Sequence, residues 1–177
     1  MLINNRCRRT VLRMLERKEL DFSKFNLISV NTNCSGWTQE LEEMKKAVGE
    51  ENFKHVLFLV FDDVVYERDK EFARRYHEQH PERKPIKFFS KDEARQVIRF
   101  IIKTFEQEKD LIVHCSAGIS RSTAISIFAN TFANRFLSNP ENMDDFNLNE
   151  VAMFEKMPMP NADVSAILNE VADKEFS

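Results

Sequence analysis

Apolar positions along the chain come in two arrangements: unbroken short runs, and stripes that recur every three to four residues. Unbroken runs mark strands covered on both faces, and stripes mark helices with one face buried. Residues 27–30 (LISV), 54–61 (KHVLFLVF) and 111–114 (LIVH) read as strands. Residues 8–19 (RRTVLRMLERKE) predict a short basic helix with Val11, Leu12 and Leu15 on its apolar face. Residues 38–48 predict a helix carrying Leu41, Met44 and Val48 inward, with Gly49 as its stop signal. The charge-dense stretch 66–84 predicts a solvated helix closed by Pro81 and Pro85. Ser90 opens the cleanest stripe, Ala94, Val97, Ile98, Ile101, Ile102 and Phe105, and Glu93 completes a capping box with it. After Arg121, Ile125, Phe128, Ala129, Phe132 and Phe136 again recur at helical spacing. Residues 139–147 read as a loop, and 150–156 and 162–174 as closing helices, the latter with Val164, Ile167, Leu168 and Val171 inward.

Strands separated by helices imply an α/β protein with a central, mostly parallel sheet flanked by helices. The helix from Ser90 returns the chain to the strand 111–114 and so completes a strand–helix–strand crossover with a parallel pair. The 177 residues suit one domain, 1–177, in which 1–26 reads as an N-terminal helical extension. No internal repeat, low-complexity tract or linker interrupts it. The 16 phenylalanines fall mostly on periodic faces, which assigns them to core packing.

A net charge of −3 argues against a general nucleic-acid binder. No apolar stretch reaches membrane-spanning length, and the start MLINNRCRRT lacks the apolar segment of a signal peptide, so a cytoplasmic protein without membrane insertion is expected. Three cysteines, Cys7, Cys34 and Cys115, are too few for a disulfide framework and fit reduced thiols. No paired cysteine or histidine spacing accompanies His114 and Cys115, so neither a metal nor a cofactor is expected. Arg6, Arg8, Arg9 and Arg13 read as a solvated helix face, with contact to a phosphorylated partner as the alternative. Trp37 is equally a core anchor or a substrate contact, and His55, His77 and His80 carry no assignment.

Candidate chemistry concentrates in the run HCSAGISRST, residues 114–123. Cys115 ends a buried strand and a helix follows Arg121, so the thiol sits where unpaired backbone N–H groups and the positive helix end gather. Of only three glycines, Gly118 lies inside this run, where a backbone must approach a ligand or take positive φ. Helix N-termini and nearby cations lower a thiol pKa from about 8.5 into the range of about 3.5–7.5. The N–H groups of residues 116–121 can hold the oxygens of a phosphate, and Arg121 adds a planar fork for two of them. Binding positions are therefore Ser116, Ala117, Gly118, Ile119, Ser120 and Arg121. Ser122, with Ser116 as alternative, is placed to hydrogen-bond the sulfur, and His114 to orient the loop backbone.

His114-Cys115, five residues, then Arg121-Ser122, with AGIS between, resembles the signature loop of cysteine-dependent protein tyrosine phosphatases. The wording AGISRS is more similar to the dual-specificity branch than to the receptor-type branch. The resemblance extends over roughly residues 27–171, including VFDD at a strand end and Pro160-Asn161 before the last helix. It implies a phosphocysteine intermediate, no metal, and a general acid on a mobile loop upstream of the signature. Asp62 and Asp63 hold that position, Asp63 being preferred because it is freer to reach the pocket. The segment between this pair and Cys115 is longer than is usual in compact members of that branch. If the excess displaces the acid loop, Glu67, Asp69 or Asp92 is the acid instead. Cys34 is read as passive, with a redox partner of the site as the alternative. The expected activity is hydrolysis of phosphotyrosine in proteins, with phosphoserine and phosphothreonine left open. A phosphatase-like domain that binds phosphorylated partners without turnover is the alternative. Phosphoinositide and RNA 5′-phosphate substrates are disfavoured, because Arg121 is the only basic residue in the loop.

Overall fold

In the computed structural model, which describes residues 1–33, 39–137, 152–154 and 159–176, the apolar runs become neighbours in one sheet. The strands are β1 (Ile3–Cys7), β2 (Phe25–Asn31), β3 (Val56–Val60), β4 (Asp110–Cys115) and β5 (Ala152–Phe154). Their spatial order is β3-β2-β4-β1-β5, and every pairing is parallel. The helices are α1 (Arg8–Glu16), α2 (Gln39–Val48), α3 (Tyr66–Gln79), α4 (Lys91–Glu106), α5 (Arg121–Phe132) and α6 (Ala162–Glu175). This is the α/β architecture expected, a single layered domain with helices on both faces of a parallel sheet.

The unbroken apolar runs have a physical cause in the two-residue period of a strand. In β4, Leu111 and Val113 point into one core while Ile112 points into the other. The first core joins the sheet to α4, α5 and α6 through Ile98, Ile101, Ile125, Phe128 and Leu168. The second joins it to α1 and α2 through Val11, Met44 and Val48. Both cores are large, so β4, covered on both faces, is apolar on both sides. The predicted capping box forms at the start of α4, with the Glu93 amide donating to Ser90 Oγ and the Ser90 amide donating to Glu93 Oε2. Only Ala73 of α3 is buried, as a solvated helix requires. No helix among the described residues is long and apolar enough to cross a membrane.

Three expectations need correction. The N-terminal segment is not a helical extension, because residues 3–7 form β1 inside the sheet, with Ile3 opposite Leu111 and Cys7 opposite Cys115. Polar Asn4, Asn5 and Arg6 hid this strand from any apolar pattern; backbone pairing with β4 and β5 creates it. Within the segment predicted as the helix 150–156, residues 152–154 are a strand, pairing the outer edge of β1. The crossover from β3 to β4 does not produce neighbours, because β2 lies between them. Cys34, Trp37 and the 139–147 loop lie outside the described residues.

Because all strands run in parallel, their carboxyl ends share one rim. Cys7, Thr32, Phe61 and Cys115 end or follow β1, β2, β3 and β4 there. That rim is where open parallel sheets bind ligands.

Candidate active site

Cys115 is the last residue of β4 and is 2% exposed, with the 116–120 turn leading straight into α5. The turn is held down from the neighbouring strand. Gly118 takes φ +73°, and a Cβ there would lie 2.8 Å from the Cys7 amide nitrogen and 2.9 Å from the Arg6 carbonyl. Both the backbone angle and the space demand glycine. Buried Asn5 on β1 donates from Nδ2 to the Gly118 carbonyl and to Thr123 Oγ1, each at 2.9 Å. The loop is thereby clamped at its middle and at the first turn of α5.

Cys115 Sγ lies 3.1 Å from Ser122 Oγ and accepts from the Gly118 amide at 3.3 Å. Burial by itself pushes the thiol up. Hydrogen bonds from the Ser122 side chain and amide, the charge of Arg121 and the Gly118 amide outweigh it and bring the thiol below its ordinary value. Thiolate, the nucleophilic form, is what such surroundings favour. The Ser120 side chain at the N-cap of α5 makes no capping bond, and the first turn holds no acidic residue, so its positive end is left to an anion.

Arg121 is 4% exposed. Its Nη1 donates to the Phe61 carbonyl at 2.7 Å, both Nη atoms lie 3.3 Å from Thr32 Oγ1, and Nη2 lies 3.3 Å from Ser116 Oγ. Its Nε is buried without a hydrogen-bond partner among the described residues, an unused donor beside the loop. Ser116 Oγ in turn donates to Glu40 at 3.1 Å and 3.2 Å. Buried Glu40 also accepts from the Thr32 amide at 3.3 Å and faces Arg8 Nη1 at 3.7 Å. A carboxylate from α2 therefore steadies the guanidinium through one serine.

The adjacent aspartates after β3 have different surroundings. Asp62 is buried, and its two carboxylate oxygens accept from the Asn33 amide at 3.0 Å and the Lys87 amide at 2.8 Å. Asp63 is exposed and turns to the loop, where Oδ1 accepts from Ser120 Oγ at 2.7 Å and Asn161 Nδ2 at 3.0 Å. Both of these bonds go to Oδ1, and Asp63 lines a cleft with Arg68, Ile119, Met159 and Asn161. The charged 66–84 stretch leaves the pair in place. Glu67 pairs with Lys70, Asp69 with Arg68 and the Val65 amide, and Asp92 with Arg95.

His114 is fully buried. Burial first, and then the positive charge of Arg8, push its imidazole down to about 3. Such a ring is no proton shuttle near neutral pH, and it makes stability depend on pH. Between pH 3 and 6.5 the unfolded chain binds a proton here that the folded protein refuses, so stability rises with pH. The contribution is complete above the ordinary value of 6.5 and is lost as pH falls toward 3. We expect about 2 kcal/mol less stability at about pH 5 than at neutral pH from this residue. Urea unfolding of wild type and His114→Gln across that range checks it; equal pH slopes would refute the assignment.

No protein-family model and no curated protein matches the chain. Solved structures do resemble it. The crystal structure of Tk-PTP in the active form is similar over 92% of this chain and 86% of that one, with 16% identity and a TM-score of 0.49. The crystal structure of PTPMT1 is similar over 92% of this chain and 85% of that one, with 18% identity and a TM-score of 0.47.

Around the predicted loop the fold adds Asn5, Thr32 and Glu40, which sequence reasoning missed, and gives Asn161 contacts that the Pro160-Asn161 resemblance did not specify. Asn161 caps α6 by accepting from the Asp163 and Val164 amides and donates to Asp63 and the Val64 carbonyl. Beyond the Pro160-Asn161 resemblance, its sequence signal is an asparagine before a helical stripe, which reads as a cap. The Met159 amide donates to the Ile119 carbonyl at 3.0 Å, so the 159–161 segment ties the aspartate loop to the anion loop.

Proposed function

We propose that the protein is a phosphatase that hydrolyses phosphate monoesters on protein side chains, phosphotyrosine first, through a phosphocysteine intermediate. The observation that carries this reading is the nucleophile's setting. Cys115 Sγ is ringed by the Ser122 hydroxyl and the Gly118 amide, under a loop whose Arg121 keeps an unused buried donor.

In the first step the Cys115 thiolate attacks phosphorus, forming the P–S bond as the ester P–O bond breaks. Amides of residues 116–121 and the Arg121 fork hold the three equatorial oxygens, where charge develops. Asp63 gives its proton to the departing oxygen from Oδ2, while Ser120 and Asn161 hold Oδ1. In the second step Asp63, now a carboxylate, takes a proton from water as the water oxygen attacks phosphorus. The P–S bond breaks, and the Ser122 hydroxyl donates to the returning thiolate. Asp62 acts as a tie between the β2, β3 and 87 backbones, which sets where Asp63 points.

Asp63→Asn should lower kcat by about 10²- to 10⁴-fold for phosphate esters of poor leaving groups, and far less for nitrophenyl phosphate. A leaving-group series on both variants checks it, because the same pattern in Asp62→Asn would move the acid to Asp62. Steady-state kinetics on matched phosphotyrosine and phosphothreonine peptides tests the substrate class. Hydrolysis of neither peptide, with nitrophenyl phosphate still turned over, would take protein substrates out of the reading.

A further inference from the structure

A cationic cluster stands at the rim opposite the anion loop, where the strands begin. Lys109 precedes β4 and Cys115 ends it, so the two lie about 20 Å apart along that strand. Lys54 and His55 come just before β3, and Lys103 lies in the last turn of α4. Lys103 Nζ donates to the Lys54 carbonyl at 2.9 Å, which brings that turn to the same rim. Lys109 Nζ donates to the Phe22 carbonyl at 2.7 Å and lies 3.1 Å from His55 Nδ1. None of the three lysines forms an ion pair with an acidic side chain among the described residues. The carboxylate that acts on Lys109, Asp21, is itself held by the Ser23 amide and hydroxyl and pairs with Lys24 at 3.9 Å.

The hydrogen bonds around His55 suit an uncharged amine at Lys109. The Thr104 hydroxyl donates to the Phe100 carbonyl at 2.7 Å, so its oxygen accepts from Asn26 Nδ2 at 3.0 Å. Gln107 Oε1 accepts from the same nitrogen at 3.0 Å. With its amide nitrogen so placed, fully buried Asn26 turns Oδ1 to the His55 ring, 3.3 Å from Nδ1. Phe22 stacks on that ring at 6.1 Å and 15° between planes, which fixes its orientation. An oxygen facing Nδ1 calls for a proton on Nδ1, and Lys109 Nζ then meets a donor. An ammonium has no lone pair and would set donor against donor, so the arrangement favours the free amine. Electrostatics agree. Burial, then the charges of Lys54 and Lys103, push Lys109 below the ordinary lysine value, with Asp21 opposing. Burial and the charges of Lys109, Lys54 and Lys103 push His55 down as well, which keeps the ring neutral.

We propose that Lys109 is a nucleophilic lysine, a site of acylation by thioesters whose carrier is anionic. The amine lone pair attacks the thioester carbonyl carbon; the C–N bond forms and the C–S bond breaks. The extra proton on nitrogen passes to the departing thiolate, leaving an amide and a free thiol. The amide keeps one N–H for the Phe22 carbonyl. His55 is a positioning residue, holding the amine with its lone pair available. Exposed Lys54 and Lys103, without carboxylate partners among the described residues, draw the negative charge of the carrier. The site is a strand's length from Cys115 and stands apart from the phosphatase reading.

The test incubates the full chain with acetyl-coenzyme A from about pH 7 to about pH 9 and follows each lysine by mass spectrometry. At pH 7 Lys109 should react about tenfold faster than exposed Lys18 and Lys84, and its rate should rise less steeply with pH than theirs. His55→Phe should bring Lys109 down to about the rate of Lys18, and Lys54→Ala/Lys103→Ala should lower it a few-fold. The uncharged acetyl thioester of N-acetylcysteamine should give a smaller excess at Lys109; an equal excess with both donors overturns the anionic carrier. A Lys109 rate equal to that of Lys18 and Lys84 overturns the proposal. So does an excess that persists in His55→Phe with an unchanged melting temperature. Should that variant not fold, the wild-type pH dependence decides, and equal slopes at Lys109 and Lys18 overturn the proposal.

Discussion

Cys115→Ser is expected to abolish turnover of nitrophenyl phosphate, lowering kcat by more than about 10⁴-fold. The donors around the sulfur favour the thiolate of Cys115 and bring the thiol below its ordinary value; a serine hydroxyl at the same point stays protonated and attacks poorly. Every group proposed to hold the anion remains: the 116–121 amides, Arg121 and the α5 N-terminus. Binding of inorganic phosphate or tungstate, measured by calorimetry, should therefore change by no more than a few-fold. Loss of turnover with retained binding separates nucleophile from cradle. Retained turnover would sink the phosphocysteine mechanism. Loss of both, with an unchanged melting temperature, would mean that the sulfur itself holds the ligand.

Arg121→Lys is expected to lower kcat by about 10³-fold although it keeps the charge. A lysine offers a point charge in place of a planar fork, and it cannot at once reach the Phe61 carbonyl, Thr32 and Ser116 as the guanidinium does. The effect should fall on kcat more than on KM, because the fork matches the charge that develops during transfer. Glu40→Gln offers a graded comparison, because it weakens the serine-mediated support and leaves the fork itself intact. Wild-type kcat in Arg121→Lys would exclude Arg121 from the cradle. An unchanged melting temperature is the control, since buried Arg121 also ties the ends of β2 and β3 together.

Much of the fold was readable from periodicity, and the places where it was not have one cause. The apolar runs of β2, β3 and β4 and the stripes of α4, α5 and α6 announce themselves because large cores cover them. β1 announces nothing. Its Asn5 is fully buried to hold the anion loop, and its backbone is paired on both sides, so it needs no apolar run to be a strand. The short strand at 152–154 exists because β1 has an outer edge to satisfy, a fact about pairing that composition does not carry. Periodicity likewise shows that β3 and β4 are strands joined through α4, yet it is silent on β2 lying between them.

The same division runs through the site. Strand end, glycine turn and helix start are local events, so the run 114–123 by itself placed together the proposed nucleophile, the ring of amides, the arginine and the serine beside the sulfur. These groups sit within eight residues, and short-range geometry brings them together in any fold that keeps the turn. Which aspartate faces the loop, what steadies Arg121 and what borders the cradle are long-range facts. Asp63 meets Ser120 across 57 positions, Ser116 meets Glu40 across 76, and Asn5 meets Gly118 across 113. Only the sheet order decides them, because a shared rim is built from whichever strands are neighbours, and strand order leaves no period in the sequence.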